Sequence, residues 1–184
     1  MTTLNLQVDS STDDGFEYAT GTTDVASNYI QVDASMWGGA LWVAAVPQGA
    51  TIDSATLQVY VYSGTSDNPV WDVYFEDADD AAAFSAGAGN YDISGRDRTT
   101  AKTDWDELNL GVGWESITVT DQVQEVVDRG SWASGNSMAA IAQGMTGSDC
   151  NVRPWDDSGG LGPKLDIDYS EGSVIVFRRR IEKT

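Results

Sequence analysis

Histidine is absent from this 184-residue chain, cysteine occurs once, and there are only three lysines and four prolines. Without histidine the chain lacks the commonest general base and the commonest metal ligand at once. A zinc site is deprived of its usual donors. A lone Cys150 excludes an intrachain disulfide and reads as a small buried apolar residue rather than a nucleophile. Bases are outnumbered by acids, 10 against 29, for a formal charge of −19. Such a surface repels polyanions, so nucleic acid is excluded as a partner. No apolar run approaches the roughly 18–20 residues of a membrane helix. The opening residues MTTLNLQVDSSTDD have neither a basic nor an apolar leader segment, and no secretory signal is expected. Nucleophile-elbow, zinc-protease, phosphate-loop and C-x-x-C motifs are all missing. The expectation is a protein without catalytic activity and without a cofactor.

What the chain does hold is short stretches of alternating hydrophobicity divided by Gly, Asp and Pro turns. The clearest is VPQGATIDSATLQVYVY, residues 46–62, a turn leading into a strand. There Leu57, Val59 and Val61 alternate with Gln58, Tyr60 and Tyr62, the period of a half-buried strand. Further strands are expected over residues 3–8 (at a sheet edge), 29–32, 40–46, 70–76, 116–120, 137–143 and 164–169. In residues 70–76, Trp71, Val73 and Phe75 share one face. Residues 9–21 read as a polar loop, and residues 36–39 (MWGG) as a break between strands. Residues 121–129 form an amphipathic helix with Val123, Val126 and Val127 on one side. Residues 77–85, acids ahead of an alanine run, suit a second short helix. Residues 86–113 are long for a loop and are expected to include a short helix or a strand-edge excursion.

About eight strands with one or two short helices on the connections define an all-β, jelly-roll-like β-sandwich. The sandwich is expected to occupy residues 1–170, with residues 171–184 as a basic C-terminal strand or anchoring arm. The body holds 27 acids and six bases; the arm, EGSVIVFRRRIEKT, holds two acids and four bases. Val174, Val176 and Phe177 make the arm too apolar for a solvated tail, and Arg178, Arg179 and Arg180 oppose the charge of the body. These six residues are the expected partner contact, by strand addition or insertion.

Several segments together resemble the DNRLRE, or disaggregatase-related, β-sandwich module. They are residues 46–62, VYFEDADDAAAFS at 73–85, RDRTTAKTDW at 96–105, the helix with WASGN at 121–136, and PKLDIDY at 163–169. DDGFEY at 13–18 also suits the pattern. The resemblance implies a module of tailed-phage virion proteins and bacterial surface proteins, without a shared catalytic motif.

Asp77, Asp79 and Asp80 could serve calcium, but the D-x-D-x-D-G spacing is missing and helix capping is the favoured reading. Asp13, Asp14 and Glu17, and separately Asp156 and Asp157, read as solvated turn acids before metal ligands. Of the seven tryptophans, Trp71, Trp105 and Trp132 are expected in the core, whereas Trp37 and Trp155 sit in loops and are the candidates for glycan or surface contact.

The resulting expectation is a structural virion protein of a tailed phage, an outer capsid decoration (cement) protein. It would be made without a signal peptide and would contact the major capsid protein or neighbouring virion subunits as a homo-oligomer, with a trimer as one form. Neither nucleic acid nor membrane is an expected partner. The alternative is a carbohydrate-binding, host-attachment module of a tail fibre or surface protein.

Overall fold

The computed structural model describes residues 1–62, 68–157 and 159–171. Within them twelve strands and one helix form two antiparallel sheets of six strands each, a two-sheet all-β architecture. The first sheet runs β1 (Thr2–Gln7), β12 (Lys164–Ser170), β6 (Thr51–Val61), β11 (Asn151–Val152) and β4 (Ile30–Gln31). Its sixth strand, β9 (Gly113–Thr118), pairs with the opposite edge of β6. The second sheet runs β3 (Thr23–Asp24), β2 (Asp14–Glu17), β5 (Trp37–Val43), β10 (Ser137–Gly144), β7 (Val70–Phe75) and β8 (Thr103–Asp106).

The strand expected within residues 46–62 begins at Thr51, ahead of its alternating positions, and at 11 residues is the longest among the described residues. Leu57, Val59 and Val61 point inward, as do Trp71, Val73 and Phe75 from the other sheet. Each such side chain contributes roughly 1.5–3 kcal/mol through burial. Trp71 and Trp105 meet edge to face at 4.9 Å, and Trp132 donates its indole N–H to the Val46 carbonyl at 2.9 Å. The helix α1 (Thr120–Val127) lays Val123, Val126 and Val127 into the same core.

Four expectations are corrected. Residues 9–21 are not all loop: β2 lies inside the second sheet, paired with β3 and β5. Residues 36–39 do not separate two strands, because β5 starts at Trp37 and runs through Gly38 and Gly39. Those glycines admit close neighbours, since a Cβ on Gly38 would lie 2.7 Å from Val32 and one on Gly39 2.5 Å from Phe84. Residues 77–85 form no helix. Arg129 holds Asp77 and Asp79, Asp80 accepts the Ser137 N–H, and these bonds hold the segment in an irregular course. The count of strands rises from about eight to twelve, through two-residue strands and β2 and β8.

Residues 77–98 cover the outer face of the second sheet, where Phe84 and Ile93 pack on Leu41, Ala139 and Ile141. That second small core explains why β10 is apolar at successive positions: both its faces are buried. Arg96 pins the cover by bonding Glu76, Asp92 and the Ala82 carbonyl, with its guanidinium 4.2 Å above the Phe84 ring.

Candidate functional site

The end of β1 meets the loop between β11 and β12. Gln7 donates from its side chain to the Gly160 carbonyl at 2.8 Å and the Gly162 carbonyl at 3.2 Å, and the Val8 N–H bonds the Pro163 carbonyl at 3.1 Å. Trp42, reaching from the second sheet, donates to the same Pro163 carbonyl at 3.3 Å. Gly162 is held so tightly that an added Cβ would sit 2.6 Å from Val8 and 3.0 Å from the Trp155 nitrogen. These contacts fix an open groove of about 580 Å³, lined by Gln7, Asp9, Trp155, Asp156 and Asp157 with the two loop glycines. An exposed indole beside acidic side chains suits a hydroxyl-rich ligand: the ring takes an apolar face and an exposed acid such as Asp9 accepts O–H donors.

Asp14 lies beneath this loop. It is 1% exposed, and its Oδ2 accepts the Trp155 backbone N–H at 2.7 Å. Its Oδ1 has no hydrogen-bond partner. Burial pushes the carboxyl up to about 7; the Trp155 N–H pulls it down, while Asp156 and Asp13 push it further up. Asp156 accepts the Ser11 hydroxyl at 2.7 Å on Oδ1 and leaves a buried Oδ2 without a partner. Thus Asp14 and Asp156, far apart in the sequence, act on one another here. Asp14 and Glu17 are not solvated turn acids: Glu17 is equally buried, and its Oε2 accepts the N–H groups of Ile93 and Ser94 at 2.8 and 3.0 Å. Asp157 pairs with Arg153 at 3.3 Å. Among the described residues no group of three or more Asp, Glu, His or Cys side chains converges as metal ligands.

The two tryptophans expected at a contact surface separate. Trp155 is 43% exposed in the groove. Trp37 is half-buried at the start of β5, and the Arg98 guanidinium lies 4.9 Å from its ring. The residues Val174, Val176, Phe177, Arg178, Arg179 and Arg180 lie outside the described residues.

Trp114 does not stand out in the sequence, yet it is exposed on the outer face of the first sheet. Its register partner Tyr60 meets it edge-on at 5.4 Å, and the Lys164 ammonium lies 3.8 Å from the ring centroid. Beside it Arg153 covers the Tyr62 ring at 3.4 Å. These rings are occupied by the protein's own cations, so Trp155 is the better stacking surface. The signal for Trp114 is its place among the polar positions of an alternating strand.

Neither a family model nor a curated protein sequence matches the chain. Among the described residues no helix is long and apolar enough to cross a membrane.

Proposed function

We propose that the chain is a non-catalytic structural protein of a tailed-phage virion, an outer capsid decoration protein whose two sheets follow a jelly-roll course. The resemblance of residues 46–62, 73–85, 96–105, 121–136 and 163–169 to the DNRLRE module motivates the phage assignment. The observation that carries the docking scheme is the use of charge. All six bases of residues 1–170 are engaged within the body: Arg96, Lys102, Arg129 and Arg153 by carboxylates, Arg98 and Lys164 by rings. The four bases of residues 178–183 are what the chain has left to meet an acidic partner, the major capsid protein or a neighbouring copy.

Deletion of residues 172–184 tests this. The truncated protein is expected to fold and to lose attachment to particles, and attachment of the intact chain weakens as salt rises. Unchanged decoration by the truncated chain refutes the scheme. Quantitation of purified particles gives hundreds of copies for a cement protein.

A second reading is favoured by the Trp155 groove: a carbohydrate-binding module for host attachment. It requires glycan binding that is lost in Trp155→Ala, and copy numbers of tens at most.

A further inference from the structure

We propose that Asp14 and Asp156 together hold a divalent cation, Ca²⁺ by its chemistry, beneath the Trp155 loop. The bond from the Trp155 N–H to Asp14 Oδ2 aims this carboxyl, only 1% exposed, at the loop, and leaves its other oxygen without a partner. Asp156 is the next residue along that loop, and its Oδ2 is likewise buried and unpartnered. Two buried oxygens without partners, on carboxyls that repel one another, make a place where positive charge is favoured. The nearest base in sequence, Arg153, pairs with Asp157 and lies over the Tyr62 ring, and its buried, unpartnered Nε bonds neither carboxyl.

The donors are oxygens alone, which selects a hard cation. Ca²⁺ accepts six to eight oxygen ligands in adaptable geometry and draws readily on carbonyls, hydroxyls and water, whereas Mg²⁺ demands a near-ideal octahedron. Two carboxylates place such a site in the weak class of calcium modules, with a Kd of about 0.1–1 mM. Its effect would be to fix the loop that carries Trp155 and so to set one wall of the groove. This inference stands apart from the virion reading and survives its failure.

The test uses the full chain in physiological salt, titrated with CaCl₂ and followed by calorimetry and thermal melting. Tb³⁺ luminescence sensitised through tryptophan gives a local readout. Saturating Ca²⁺ is expected to raise the Tm by several degrees, through preferential binding to the folded state. The rise should vanish in Asp14→Asn and in the less buried Asp156→Asn, which keeps the test alive if the first variant folds poorly. Asp166→Asn, on the outer face of the first sheet, should leave it intact. Trp155→Phe should lose most of the Tb³⁺ signal while still binding Ca²⁺. Absence of any Ca²⁺ effect overturns the proposal. So does an effect of equal size in all three aspartate variants, which would show diffuse attraction to an acidic surface.

Discussion

Asp14 and Trp155, 141 positions apart in the sequence, are joined by a 2.7 Å hydrogen bond from the Trp155 backbone N–H to Asp14 Oδ2. The bond ties β2 of the second sheet to the β11–β12 loop of the first. It also removes a carboxyl from water, and that has a measurable cost.

In cation-free buffer the Asp14 carboxyl is held up at about 7 by burial, against an ordinary value of 3.8. A raised carboxyl stabilises the fold fully below its unfolded value, and the benefit is lost as pH climbs through the folded value. The groups that face it are the Trp155 N–H, which opposes the shift, and Asp156 and Asp13, which add to it. Asp14→Asn keeps an acceptor for Trp155 without the titration. Its stability relative to the parent should therefore rise between pH 4 and pH 8, by up to about 4 kcal/mol. Urea unfolding in EDTA at both pH values measures this. A difference that stays flat with pH means the carboxyl ionises inside the fold at no cost.

Two arginines anchor the segment at residues 77–98, and they should not be equally important. The Arg96 side chain is 9% exposed, and its loss strands Glu76 and the Ala82 carbonyl. Arg96→Met is expected to cost roughly 2–4 kcal/mol, in the range for breaking a largely buried pair. Arg129 is 27% exposed, and its partners Asp77 and Asp79 are wetter still. Arg129→Met should cost about 1 kcal/mol, since solvent screens the pairs. Paired denaturation curves give the ranking; equal costs would mean that the cover is held by Phe84 and Ile93 alone.

The frame of the fold is legible in the sequence because its strands are amphipathic. Residues 57–61 and 71–75 alternate, and Val123, Val126 and Val127 recur at helical spacing, so burial can be read directly from order. β2 escapes such a reading for the opposite reason. Asp14-Gly15-Phe16-Glu17 looks like a turn, yet all four residues are buried, because both acids find backbone N–H donors in distant loops. No local pattern encodes a donor that arrives from residue 93 or 155. The alanines of residues 81–83 read as helix, whereas tertiary bonds from Arg96 and Arg129 outweigh that weak propensity. At the candidate site, Trp155 is visible as a loop tryptophan next to two acids. Its junction with Asp14 is not, since it depends on how the two sheets are stacked.

The inward face of β6 can be checked by charge. Val59 is 4% exposed between the sheets, while its neighbour Gln58 is half-buried on the outer face, opposite Lys164 and Ser116. Val59→Asp places an unpaired carboxylate in the core and should abolish the cooperative unfolding transition. Gln58→Glu should remain folded, with a change within about 1 kcal/mol, because its side chain keeps access to water and gains a basic neighbour. Circular dichroism melts of the two variants decide the matter. A folded Val59→Asp protein would invert the assignment of faces.

The groove itself depends on a residue with no side chain. A Cβ at Gly162 would stand 2.6 Å from Val8 Cγ2, closer than such atoms approach, and a tight 3.0 Å from the Trp155 backbone nitrogen. Val8 is buried and cannot swing away, so the loop must yield. Gly162→Ala should therefore move the Trp155 strap off Asp14, break its hydrogen bond, and cost roughly 1–3 kcal/mol by overpacking. The displaced indole should change its fluorescence maximum and quenching by iodide, and faster hydrogen exchange should be confined to residues 153–157 and 160–163. At Gly160 a Cβ would meet nothing within 4 Å, and the backbone φ is +65°. Asn tolerates that backbone region, so Gly160→Asn should leave the indole signal unchanged. If Gly162→Ala leaves fluorescence and exchange as they were, the loop is not wedged against β1, and the groove must owe its shape to the Gln7 bonds instead.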